Sequence, residues 1–474
     1  MSANTVAPEP LFDPFAGPPL SATAPTTASQ REIWAACQFG EEVSLAYNES
    51  ASVVLRGRLD AERLIGALVT IVQAHDALGT TISADGQSLC FYEKPPDLVN
   101  FHDLRGREAA WQKLIEQHLG TPFDLVRGPL WRAELARLAD DEWRLLFTAH
   151  HIVFDGWSLG TLLEDLADVY NGKTQRPPDC FLDFARALAG PENLRRTRQA
   201  LGFWKERFRD PPAELDLSAR SSRPPIRSLV SKEVESRLEP ELAQAITRLA
   251  RGLKTSSVNA IFALFTAWIA RRGASRDFVV GVPFAGQMLH DKRRLVGHAV
   301  NLLPIRTGPD LESGFSEHAR NVSAAMLDAF DAGYVSLGSI LEVVNVRRSA
   351  DRPPLVTVAF NLNTGLSVPE FDGVTTRVLT HPRCCEYFEL FLNLRETDGG
   401  YDLQWSFNVD LFKPEDIRRM SEEFATFVAH TCADPGRPIG RTPCVPASQV
   451  QLTTAEWNAT DRPQPESSVL EAIA

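Results

Sequence analysis

Between Trp143 and Gly172 the sequence changes period. Trp143, Leu145, Phe147 and Ala149 fall on one face of an extended segment, and Arg144, Leu146 and Thr148 on the other, so residues 143–149 read as a buried strand. After a nine-residue loop, Leu159, Leu162, Leu163, Leu166, Val169 and Tyr170 recur at helical spacing and stop at Gly172, with Ser158 as the expected N-cap. A strand that feeds directly into an apolar-striped helix needs a sheet with helices layered on it, which makes the fold class α/β.

The alternation recurs along the chain. Val53, Val54 and Leu55 predict a strand, followed by a helix capped by Asp60 with Leu64, Leu68, Ile71 and Val72 on one face. In the second half, helices are expected over residues 240–253 and 257–271, then a short strand over 278–281 and a turn over 283–287. With 474 residues, 44% of them hydrophobic, the chain is long enough for two lobes of about 200 residues each. A charge-rich, proline-containing stretch over 195–227 reads as the crossing between them. The expected organisation is a linker over 1–25, lobes over 26–195 and 196–447, and a polar linker over 448–474.

A net charge of -12 leaves no basic field for nucleic acid or an anionic membrane. Cysteines at 37, 90, 180, 384, 385, 432 and 444 have neither zinc-site spacing nor disulfide density, which fits a reducing cytoplasm. The amino terminus has the features of neither a signal peptide nor a membrane span.

The chemistry concentrates in His150-His151-Ile152-Val153-Phe154-Asp155-Gly156-Trp157-Ser158, where the strand leaves the core. If the strand continues through the pair, the two imidazoles point to opposite faces, with His151 in phase with Leu145, Phe147 and Ala149 and His150 supporting the structure. An imidazole, whose unperturbed pKa is near 6.5, suits proton transfer at cellular pH. Asp155 is placed to contact an imidazole, share a metal with it or pair with an arginine, and Gly156 is expected to take a positive φ before the helix. Two histidines facing apart plus one carboxylate make a poor metal set, and no Ser or Cys stands in a nucleophile elbow. The other histidines, 75, 102, 118, 290, 298, 318, 381 and 430, read as hydrogen-bonded structural residues.

The motif His-His-x-x-x-Asp-Gly resembles the signature of the condensation domains of non-ribosomal peptide synthetases. The resemblance extends to Ser29-Gln30-Arg31-Glu32-Ile33-Trp34, His75-Asp76-Ala77-Leu78, residues 122–130, residues 281–286, residues 296–304, Phe360-Asn361-Leu362-Asn363 and Asp410-Leu411-Phe412, covering about residues 26–446. It implies two chloramphenicol-acetyltransferase-like lobes in a V-shaped pseudo-dimer, with a central tunnel and a carrier-protein dock at each end. His151 then matches the working histidine of an amide-forming acyltransferase. His150, Asp155, Gly156, Trp157 and Ser158 form the supporting motif, and Asn301 and Asn361 lie toward the tunnel.

No cofactor is expected on the domain itself. The substrates ride on the phosphopantetheine arms of an upstream donor carrier and a downstream acceptor carrier, and an adenylation domain follows the tail. Two departures stand out: Gly79 and Gln287 occupy positions where the family often has arginine, so that Arg31 becomes the guessed partner of Asp155. Epimerisation, ester formation and a non-catalytic carrier-docking platform are the competing readings, whereas a heterocyclisation domain would replace the histidine pair with aspartate.

Overall fold

The computed structural model describes residues 19–92, 99–212, 214–219, 222–273, 275–363, 369–397 and 399–460. The outer parts of both expected linkers, 1–18 and 461–474, lie outside the described residues.

Fourteen strands in three sheets organise these residues. β1 (Leu20–Pro25), β3 (Thr80–Ile82) and β4 (Ser88–Tyr92) form a small sheet ordered β1-β4-β3. Residues 20–25, expected as the end of a linker, are therefore a paired strand. Register places Thr23 opposite Cys90 and Ala24 opposite Leu89, which buries Ala24 against Leu89 and Phe91.

The first large sheet contains β2 (Asn48–Gly57), β5 (Val99–Asp103), β6 (Trp131–Arg137) and β7 (Glu142–His150). β7 is buried on both faces, as its two-sided apolar pattern requires. Leu145, Phe147 and Ala149 pack with Leu64, Leu68 and Ile71 of the helix Ala61–Ala74 and with Leu162 and Leu166 of the helix Gly156–Tyr170. Leu146, half a pleat away, packs with Trp111 and Ile115 of the helix Glu108–Gly120.

The second large sheet contains β8 (Ser231–Leu238), β9 (Phe278–Ala285), β10 (Val300–Thr307), β11 (Val358–Asn363), β13 (Leu390–Thr397) and β14 (Gly400–Asn408). Its order is β10-β9-β11-β13-β14-β8. The helix Ser257–Arg272 has every residue from Ala260 to Ala270 buried, so no stripe is visible in its sequence. Its Phe265 and Trp268 meet Phe360, Trp405 and Phe424 at ring-centroid separations of 5.3–6.3 Å, a range that favours tilted and edge-to-face aromatic contacts. The strand expected over 278–281 runs on to Ala285, and the turn expected over 283–287 begins only where the short helix Gly286–Leu289 follows. No single helix among the described residues is long and apolar enough to cross a membrane.

Segments of each half cross into the other. The helix Pro191–Arg207 runs through the expected 195/196 boundary, and its Trp204 is buried in the core of the second sheet, where the indole N–H donates to the Ala332 carbonyl at 3.0 Å. Conversely β12 (Val374–Thr380), from the second half of the sequence, completes the first sheet, whose order is β12-β2-β7-β6-β5. Val378 lies opposite Val53, and Thr380 opposite Ala51.

His381 continues this seam. Its main-chain N–H donates to the Ser50 carbonyl at 3.0 Å, and its Nε2 lies 2.6 Å from Ser52 Oγ. Burial, with a smaller contribution from His118, pulls the His381 imidazole down to about 4. Below about pH 6.5 the unfolded chain therefore takes up a proton that the folded protein refuses. The stability this histidine provides is fully present above pH 6.5 and is lost as pH falls toward 4, by up to about 1.4 kcal/mol per pH unit. In thermal unfolding measured from pH 7.5 to 4.5, His381→Gln is expected to flatten the loss of Tm between pH 6.5 and 4.5 relative to the parent.

Candidate active site

The paired histidines sit where β7 ends. β7 stops at His150, which still pairs with Asn48, and residues 151–153 turn. The strand therefore does not continue through the pair, and the alternation argument for His151 fails at its last step. The side chains are separated by the turn instead. His150 is fully buried; its Nδ1 accepts the Ile152 N–H at 3.2 Å, and its Nε2 faces Cys37 Sγ at 3.8 Å. Burial, with neighbouring His151, holds its imidazole at about 3, so it is a neutral structural group.

His151 is fixed by two carbonyls. Its main-chain N–H donates to the Tyr47 carbonyl at 2.7 Å, and Nδ1 lies 2.6 Å from the Phe154 carbonyl oxygen. A carbonyl only accepts, so Nδ1 carries the hydrogen and the lone pair of the neutral ring is on Nε2. The side chain is 18% exposed, and Nε2 lies 3.5 Å from Glu49 Oε1. The ring of His298 stands edge-on to it, perpendicular at a centroid separation of 4.9 Å.

His298 departs from the expectation of a satisfied structural histidine. It is buried, and among the described residues neither ring nitrogen has a well-formed hydrogen bond, the His151 main chain being only a weak polar neighbour. Burial first, and then the two motif histidines, keep it far below the usual imidazole range, although the His151 main chain acts in the opposite sense.

Asp155 holds this loop in place. It caps the helix Gly156–Tyr170, a role expected of Ser158: its Oδ1 accepts the Ser158 N–H at 2.8 Å and lies 2.7 Å from the Ser158 hydroxyl. Oδ2 accepts the Gln287 side-chain amide at 2.8 Å and the Ala299 N–H at 3.1 Å. Gln287 thus fills the place of the expected arginine. Arg31, the guessed substitute, is spent on the Thr26 carbonyl.

Ser158 adds a second tie: its hydroxyl accepts the Gly297 N–H at 2.9 Å and lies 3.0 Å from the Gly297 carbonyl oxygen. The Trp157 indole N–H donates to the Arg293 carbonyl at 2.9 Å. From the amino-terminal side, buried Gln30 donates to the Ile152 carbonyl at 2.8 Å. Three separate stretches of sequence therefore clamp the turn.

The glycine that needs its freedom is not Gly156. Gly156 is the first helical residue, outside the positive-φ set, and a Cβ there would meet nothing within 4 Å. Gly297 has φ +150°, and a Cβ there would lie 2.2 Å from the Phe181 ring. Asn301 donates to the Gly333 carbonyl at 2.9 Å, and Asn361 donates to Asn363 and Asn393 side chains at 3.2 and 3.0 Å. Each of these amides is thus engaged within the second lobe rather than with His151.

Sequence reasoning missed Glu49 and Arg383. Glu49 lies on β2 opposite Ala149, two residues before His151. Only the full length and register of β2, hidden by the polar Asn48-Glu49-Ser50 start, bring it there. Arg383 follows β12 and pairs with Glu49, while its other guanidinium nitrogen lies 3.9 Å from Glu386. Burial opposes ionisation of Glu49, but Arg383 and His151 outweigh it and hold the carboxyl below its ordinary range.

The family model described as "Condensation domain" matches residues 21–452. Chondramide synthase cmdD of Chondromyces crocatus is 28% identical over 467 residues, 95% of this chain and 12% of that protein. The chain spans only 6–12% of the first three curated relatives. Among solved structures, the condensation domain from Monacolin K polyketide synthase MokA superposes with a TM-score of 0.81 at 18% identity, covering 89% of this chain and 99% of that one. A holo four-domain nonribosomal peptide synthetase, AB3403, gives 0.80 at 18% identity, covering 91% of this chain and 35% of that one.

Two stability measurements check the loop. Gly297→Ala is expected to destabilise by about 2–4 kcal/mol through the Phe181 clash and the strained φ, with Gly156→Ala within about 0.5 kcal/mol of the parent. Gln287→Ala removes a charge-assisted donor from buried Asp155 and is expected to cost about 1–3 kcal/mol in denaturant unfolding.

Proposed function

The chain belongs to the condensation-domain family, and from that premise we propose that it joins a carrier-bound donor acyl or peptidyl thioester to the amine of a carrier-bound aminoacyl acceptor, with His151 as the working residue. The observation that carries this reading is the tautomer of His151. Its Nδ1–H is committed to the Phe154 carbonyl, and Nε2 is left with the lone pair of a partly exposed side chain.

A free α-amine has a pKa near 7.7–8.0 and is largely protonated at neutral pH, so attack on a thioester gains from a base held at the reacting atom. Nε2 accepts an N–H proton of the acceptor as its nitrogen adds to the donor carbonyl. When the tetrahedral intermediate collapses, the thiolate leaves and takes up a proton. Asp155 does not enter these steps; it positions the turn. Tethering both substrates on phosphopantetheine arms adds proximity, which in well-oriented systems reaches effective molarities of about 10⁵ M or more.

The wider setting belongs to the same proposal. Donor and acceptor carriers approach a tunnel between the two lobes, and the tail from 448 leads toward an adenylation domain. The protein needs no cofactor of its own beyond the carriers' arms. Its place is the cytoplasm, a reading supported by seven cysteines that are all free thiols.

The test is mass spectrometry of the acceptor carrier after incubation with both loaded carriers, comparing the parent with His151→Ala. Transfer of the donor acyl group to the acceptor arm is expected, slowed by about 10²–10⁴ in the variant. Unchanged carriers with a folded parent domain would overturn the reading.

A further inference from the structure

His151 and Glu49 pose an unresolved contact. With Nδ1–H given to Phe154, the lone pair of the neutral ring is on Nε2, 3.5 Å from Glu49 Oε1, so two acceptors lie close together. Such a pair is stable only when something between or beside it brings a proton.

Arg383 donates to Glu49 Oε1 and so serves only one of these two acceptors. That guanidinium is shared between Glu49 and buried Glu386, so one cation serves two carboxylates. Glu49 keeps a quarter of its side chain exposed and His151 just under a fifth, which leaves both open to a ligand. An ammonium group complements this pair: it has one positive charge and three N–H donors, enough to bridge Oε1 and Nε2 together. A hydroxyl offers one donor and no charge.

We propose that Glu49 is the binding residue for the acceptor's ammonium group, and that it selects amine acceptors over hydroxyl acceptors at the His151 site. The inference deepens the condensation reading and rests on it. The acceptor arrives as an ammonium, with one N–H directed to Glu49 and another to Nε2. Nε2 takes that proton, and the freed nitrogen pair forms the C–N bond to the thioester carbonyl carbon. Collapse breaks the C–S bond, the nitrogen's second proton goes to the departing thiolate, and the imidazolium returns its proton to water. Amide, thiol and one proton result from ammonium and thioester, so the step balances without any co-reactant.

Affinity separates this selection from the greater intrinsic reactivity of amines. Acceptor carriers would be loaded with unreactive, amide-linked aminoacyl or isosteric α-hydroxyacyl pantetheine and titrated against the parent, Glu49→Gln and Glu49→Asp by calorimetry. Condensation of the corresponding thioesters would be followed by mass in parallel.

The parent is expected to bind the aminoacyl carrier about 10- to 100-fold more tightly than the hydroxyacyl carrier, the range of one charge-assisted hydrogen bond. Glu49→Gln is expected to erase the difference by weakening the aminoacyl carrier alone, and Glu49→Asp to keep part of it. Equal affinity of the parent for both carriers overturns the proposal even if Glu49→Gln does not fold. So does a folded Glu49→Gln that retains the parent's preference. A parent that discriminates in binding but transfers nothing would instead sink the condensation reading, and with it the catalytic steps above.

Discussion

One buried carboxylate organises the site. Asp155 receives hydrogen bonds from Ser158 on its own helix and from Gln287 and Ala299 in the second half of the chain. A buried carboxylate with four donors is strongly held, and it loses heavily when any of them is withdrawn. It therefore acts as a staple between β7's exit and the segments around β9 and β10. The turn that carries His151 is as rigid as that staple, and the tautomer of His151 depends on the Phe154 carbonyl that the turn presents. The proton transfer proposed for His151 would thus rest on a group that never touches the proton.

Burial divides the histidines by task. His150, His318 and His381 are pushed down to between about 3 and 4, chiefly by burial, and serve as neutral hydrogen-bonding plugs. His151 differs in keeping an exposed edge and a carboxylate neighbour. Two adjacent and chemically identical side chains are therefore given opposite roles by a turn that places one inside the core and the other at its margin.

What the sequence revealed follows from what is local. The strand over 143–149 and the helix capped by Asp60 are present within a residue or two, and the helix after the strand keeps its apolar stripe but starts at Gly156 behind Asp155, three residues before the start that a Ser158 cap implies. The motif containing His151 was legible because its residues are contiguous. Contacts made across hundreds of positions were not. Gln287 reads as a departure in the sequence, yet its amide reaches the carboxylate of Asp155, the residue for which an arginine partner was expected. Glu49 lacked any local signal, since its place beside His151 depends on the β2 register. Gly156 looked like the backbone hinge because it is in the motif, yet a Cβ there meets nothing, whereas one at Gly297 would strike a ring of Phe181 more than a hundred residues away.

The strand β12 bears on how such a protein is made. The first sheet is laid down early in synthesis, but its edge beside β2 stays unpaired until Val374–Thr380 has emerged, more than two hundred residues after β7. During that interval β2 presents open main-chain donors and acceptors, the kind of edge that invites pairing with other chains. The growing polypeptide is thus exposed to mispairing on the ribosome until its second half returns to close the first. A shuffled or truncated module that breaks between the halves would inherit that open edge permanently.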